Sequence, residues 1–99
     1  MGTASSRGAV NKRFAENLRR IRENRGLSQE ALADLSGIHR TEASLLERGK
    51  REPRLGTLVK LAGALEVTVE ELAEGIEWWP TENVSSSSPG GFRIESERH

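Results

Sequence analysis

The sequence predicts an all-α domain of five short helices, followed by a tail of different character that carries a β-hairpin or strand. Three observations lead there. Apolar residues recur at helical spacing across residues 10–76, with no strand-like alternation inside that span. Glycines at 26, 37, 49 and 75 fall where one periodic segment ends and the next begins. Hydrophobic residues make up 34% of the 99 and aromatic residues 4%, which suits a small core without a deep pocket.

Val10, Phe14, Leu18 and Ile21 define the first helix, expected over residues 11–25, with Glu16/Arg20 and Arg19/Glu23 as supporting i,i+4 pairs. Residues 1–9 are small and polar and are expected to form a flexible N-terminus. Ser28 is a good N-cap for the second helix, which runs to about Ser36, with Glu30 favourable in its first turn. The third helix runs over residues 40–48, with His39 at its N-cap and Gly49 beyond its end. Leu55, Leu58, Leu61, Ala62 and Leu65 give the fourth. Thr68 and Glu71 form a capping box for the fifth, whose inward residues are Val69, Leu72 and Ile76. The domain is thus residues 10–76, and residues 77–99 form a Trp-bearing, Ser/Gly-rich tail. Residues 81–91 read as linker. Ile76/Trp78 and Phe92/Ile94 alternate on either side of it, as two short strands would.

Residues 27–49, LSQEALADLSGIHRTEASLLERG, carry the functional signal. They read as two short helices joined by a tight turn, an arrangement that can place a helix in the DNA major groove. Ala33 is small enough to let the second helix cross close to the first. Gly37, four residues later, admits a left-handed corner. Leu32, Leu35, Ile38, Ala43 and Leu46 are expected to face inward together.

Net charge is zero, but it is unevenly spread. Residues 7–25 hold seven Lys/Arg against two Glu, and residues 40–54 hold five against three, while residues 76–99 carry a net −2. Such local patches are what nucleic-acid binding requires. With no cysteine, disulfides and thiolate-ligated zinc are excluded. His39 and His99 are too isolated for a metal site, and no cofactor is expected. No nucleophile, base and orienting residue cluster in the sequence, so an enzyme is not expected. No apolar run approaches ~20 residues, and no signal-peptide core is evident, so a cytoplasmic protein without membrane contact is expected.

The phrases LSQEALADLSGI, ERGKREPRLGTLVKLAGALEV and TVEEL resemble, in order and spacing, the phage repressor and Cro-like helix-turn-helix family, also called the xenobiotic-response-element family. The resemblance covers residues 14–75. It implies a compact five-helix bundle that binds operator DNA, usually as a two-fold dimer, and hence a sequence-specific transcriptional regulator of repressor type. Ala43 stands where the family more often has a larger aliphatic, and His39 replaces its usual hydroxyl cap.

The same resemblance distributes roles. Arg40 and Thr41 occupy the positions that reach base edges, and an arginine can donate two hydrogen bonds to guanine O6 and N7. Ser44 lies on the outer face of the helix. Leu45, one turn beyond Thr41, suits a thymine methyl. Glu42 can accept from cytosine N4, orient Arg40, or repel phosphate. Ser28 and Gln29 at the start of helix two, with His39, Arg48, Lys50, Arg51 and Arg54, are the expected phosphate contacts, and Lys12 or Arg13 can approach from the other side. Arg22 and Glu47 are expected to form a structural ion pair. Ile76, Trp78, Trp79 and Phe92 are candidate dimer contacts, the competing expectation being that a tryptophan folds back onto the domain's own core. A second functional class also fits: an antitoxin-type or restriction-modification controller protein that binds a protein partner through the tail as well as its own promoter.

Overall fold

The computed structural model describes residues 6–81 and 90–95. Five helices, α1 (Arg7–Asn24), α2 (Gln29–Ser36), α3 (Arg40–Glu47), α4 (Leu55–Leu65) and α5 (Val69–Leu72), are followed by strands β1 (Ile76–Trp79) and β2 (Gly91–Ile94). α1 packs on α3 and α5, and α2 on α3 and α4. Every helix sends at least one fully buried leucine to a common centre: Leu18, Leu32, Leu46, Leu61 with Leu65, and Leu72. Phe14 and Ala62 complete this core, and Ile21, Leu27, Ile38, Leu58 and Val69 pack around it.

Local chemistry sets the helix ends. Ser28 Oγ accepts from the Ala31 N–H at 3.0 Å, and Thr68 and Glu71 close a reciprocal capping box. His39 is an effective cap despite its type, since its Nδ1 accepts from the Thr41 N–H at 3.2 Å. α1 starts at Arg7, earlier than expected, because Ser6 Oγ accepts from the Ala9 N–H at 3.1 Å. Residues 7–9, assigned above to a flexible terminus, are therefore helical; the rest of that terminus lies outside the described residues.

Leu35 corrects the inward set: it is 61% exposed. Helical residues advance by ~100°, and the face centred on Leu32, Ala33 and Ser36 leaves Leu35 on its far flank. Ser36 turns inward instead, its hydroxyl donating to the Leu32 carbonyl at 2.6 Å. Leu55 also stays exposed, at the mouth of α4. The expected i,i+4 pairs on α1 give way to tertiary partners. Arg20 reaches Glu74 at 3.3 Å and Arg19 reaches Glu47 at 3.9 Å.

Asn17 sits on the core stripe of α1 and is fully buried. Its amide donates at 2.9 Å to the carbonyls of both Leu72 and Glu74, satisfying the end of α5. Gly75 then turns the chain at φ 83°, where a Cβ would fall 2.2 Å from Arg13 Nη2. Arg13 passes over this glycine and donates to the Glu95 carbonyl at 2.6 Å.

β1 and β2 pair antiparallel in the register Ile76↔Ile94, Trp78↔Phe92. Ile76 packs against the core, and β2 lies along α1. The tryptophans do not fold back onto the core; both are exposed. Trp78 meets Phe92 edge-to-face at 5.1 Å, and the Arg93 guanidinium lies 4.8 Å from the Trp79 ring. Most of the expected linker, residues 82–89, lies outside the described residues.

Candidate nucleic-acid interface

Residues 29–47 form the crossed helix pair. Gly37 supplies the corner at φ 71°, with open space where a side chain would stand, so the left-handed backbone itself is what calls for glycine there. Ala33 is buried at the crossing, and Ala43 and Leu46 are buried beneath α3. This leaves Arg40, Thr41 and Arg48 exposed, with Glu42, Ser44 and Leu45 half-buried along the flanks. The N-terminal half of α3 therefore projects polar side chains outward from a helix anchored on its other face.

The structure also gives these residues partners. Arg40 Nη1 donates to Glu30 Oε2 at 2.8 Å, joining the first turns of α2 and α3. Glu42 pairs with Arg51 in the loop after α3, and not with Arg40. Arg48 folds along its own helix, Nε donating to the Ser44 carbonyl at 3.4 Å. Gln29 points toward Glu47, 3.3 Å from its Oε1. Ser28 and His39 are engaged as caps. Lys50 and Arg54 are exposed in the loop between α3 and α4. Lys12 and Arg48 line one groove of about 450 Å³ along α1, together with Arg19, Arg20, Glu16 and Glu23. Arg13, the alternative named for that side, is committed to the hairpin.

Arg22 and Glu47 form the anchor under α3. Arg22 Nε and Nη2 donate to the two Glu47 oxygens at 2.5 and 3.0 Å, a bidentate fork, and Nη1 donates to the Leu27 carbonyl at 2.8 Å. One guanidinium thus ties α1, the α1–α2 turn and the C-terminal end of α3 together. The hydrogen bonds that Arg22 donates to the Glu47 carboxylate raise the Arg22 pKa above its ordinary value despite the opposing effect of burial, so Arg22 stays charged throughout the range in which proteins fold.

Asn17, Arg19 and Glu30 were not picked out as site or anchor residues in the sequence. Asn17 had a visible signal, a lone amide on an apolar stripe between Phe14 and Leu18. Glu30 had none beyond its first-turn position. It meets Arg40 only because the corner at Gly37 crosses the two helices.

A family model described as helix-turn-helix matches residues 18–72. The control protein C.SmaI of Serratia marcescens is 48% identical over 59 residues, 60% of this chain and 70% of that protein. The HTH-type transcriptional regulator DdrOP3 of Deinococcus deserti is 35% identical over 78 residues, and the matched segment spans 60% of its length. Among solved structures, the restriction-modification controller protein C.AhdI from Aeromonas hydrophila shares 44% identity at a TM-score of 0.63, over 65% of this chain and 97% of that one.

Proposed function

This chain belongs to the helix-turn-helix family, and we propose that it is a sequence-specific double-stranded DNA-binding transcriptional regulator, of repressor type, that sets α3 in the major groove of an operator. The observation that carries the reading is the anchored α3 with Arg40 and Thr41 exposed at its N-terminal end. Arg40 and Thr41 read base edges, Leu45 lies against a thymine methyl, and Ser44 borders the same groove. Glu42 contributes through Arg51, which it holds beside the phosphates. Phosphate contacts come from Ser28, Gln29 and His39 at the two helix starts, and from Arg48, Lys50, Arg51 and Arg54 along the rim.

The finer reading we favour is a controller of a restriction-modification operon. Two similar proteins carry that description or the name control protein, at 44% and 48% identity, and one of them is matched over nearly its whole length. A methyltransferase gene beside this one is the check. The antitoxin-type alternative finds support in the exposed tryptophans of the hairpin, and a small toxin reading frame beside the gene would favour it.

Selection of bound sequences from a random duplex pool tests the reading directly. A preferred, palindromic sequence is expected, with half-sites ~34–36 Å apart on a two-fold dimer. Arg40→Ala should weaken binding by ~1–3 kcal/mol and relax the preference at one base pair. Unchanged affinity and preference would remove Arg40 from the reading face. Sedimentation that gives only monomer, with and without the selected duplex, would overturn the dimer.

A further inference from the structure

We propose that Glu30 determines specificity: from the first turn of α2, its carboxylate aims Arg40 at the base edge that this arginine reads. The inference rests on α3 being the recognition helix, as read above. Arg40 is the first residue of α3, and its side chain is 65% exposed, as is that of Glu30. A long guanidinium side chain in that position is free to sample many rotamers unless something holds it. Glu30 holds it, at 2.8 Å, through Nη1 alone.

The choice of nitrogen matters. A guanidinium is a planar fork with five N–H donors, and a guanine takes two of them side by side. With Nη1 engaged by Glu30, the Nε–Nη2 edge is left for O6 and N7 of a base. The carboxylate and the base thus occupy different edges of one fork, and the contact to Glu30 survives docking. Arginine loses less freedom per bond when its fork is oriented in advance. A carboxylate here also repels the phosphates of any duplex. Glu30 therefore lowers general affinity while sharpening the response to one base pair.

Asp34 supplies the comparison that separates these two effects. It lies one turn further along α2, is exposed, and makes no ion pair among the described residues. Removing its charge changes general affinity without touching Arg40.

The test uses the full chain and a duplex obtained by selection from a random pool, with each single-base-pair variant of it. Affinities are read by fluorescence anisotropy at one fixed salt concentration for the parent, Glu30→Ala, Asp34→Ala, Arg40→Ala and the Glu30→Ala/Arg40→Ala double variant. Glu30→Ala and Asp34→Ala should both tighten binding to unrelated duplex. Glu30→Ala alone should reduce the preference at the base pair flattened by Arg40→Ala, by about two- to five-fold, the range that exposed ion pairs support. In the Arg40→Ala background, Glu30→Ala should change the preference no further. If Glu30→Ala leaves the preference where Asp34→Ala leaves it while Arg40→Ala flattens it, the role of Glu30 is overturned and α3 remains the reader. If Arg40→Ala flattens nothing, Arg40 reads no base, and this inference falls with that part of the reading above. Melting temperatures of the variants serve as the fold control, since both glutamate and aspartate sites are exposed.

Discussion

Replacing Arg22 with methionine isolates what the buried fork under α3 contributes. The Glu47 side chain is 1% exposed and that of Arg22 13%, so the variant leaves a carboxylate that water does not reach. Breaking such a pair by removing one partner costs ~3–5 kcal/mol. Gln29 at 3.3 Å and Arg19 at 3.9 Å still face Glu47, which puts the expectation at the lower end, about 3 kcal/mol. Stability runs at ~0.05–0.15 kcal/mol per residue, so this is a large fraction of what so small a domain has. Each kcal/mol moves the midpoint of a domain this size by ~4–8 °C, so Tm should fall by about 12–24 °C. Arg25 provides the contrast: its pair with Glu66 has side chains 40% and 77% exposed, and Arg25→Ala should cost under ~1 kcal/mol. Urea unfolding followed by circular dichroism measures both. The double variant Arg22→Met/Glu47→Leu should recover most of the loss, because it removes the stranded charge together with its partner. The loss in Arg22→Met should persist at high salt, since the site is not reached by screening ions. Equal, sub-kcal/mol effects for Arg22→Met and Arg25→Ala, or a double variant no better than the single, would refute the burial argument.

Three further outcomes concern a buried amide, a left-handed glycine and a helix cap. Asn17→Ala leaves the Leu72 and Glu74 carbonyls without their donor and should lower stability by ~1–3 kcal/mol in the same urea assay. Gly75→Ala combines a left-handed φ with a collision against Arg13; it should cost more than ~1 kcal/mol and red-shift the fluorescence of the two hairpin tryptophans as the Arg13–Glu95 contact opens. His39→Ala removes the cap of α3 and should cost ~0.5–2 kcal/mol, whereas His39→Ser should stay near the parent, as denaturant midpoints will tell.

Much of the fold was legible because its signals are local. Thr68 and Glu71 are three residues apart, and the box they form needs nothing from the rest of the chain. The same holds for Ser28 at α2, and for the alternation that marked β1 and β2. Leu35 was misplaced because in an eight-residue helix a single apolar residue on the flank shifts the apparent face. The start of α1 was missed because Gly8 disguises a segment that Ser6 nonetheless caps. Charge partners were the least legible feature. Arg20 is four residues from Glu16 yet meets Glu74, 54 positions on. An i,i+4 pair is worth only ~0.2–0.5 kcal/mol, so any tertiary carboxylate in reach competes with it. The identity of the outward residues on α3 could be read from spacing; what each one touches depends on how α2 crosses α3, and spacing does not contain that.

Burial then sorts the charges around α3 into two kinds. Arg22–Glu47 is withdrawn from water, and disrupting it would strand a charge, so it belongs to the scaffold. Arg40–Glu30 and Arg51–Glu42 are both open to water on at least one side, and each such contact is worth at most ~1 kcal/mol. The recognition helix is therefore fixed in place by a buried pair, while the side chains it projects are held by weaker pairs that water and salt reach. Sequence discrimination should then respond to the exposed Glu30 and the half-buried Glu42, and thermal stability to the buried Glu47. A substitution at Glu47 that relaxed base preference without lowering Tm would contradict that division.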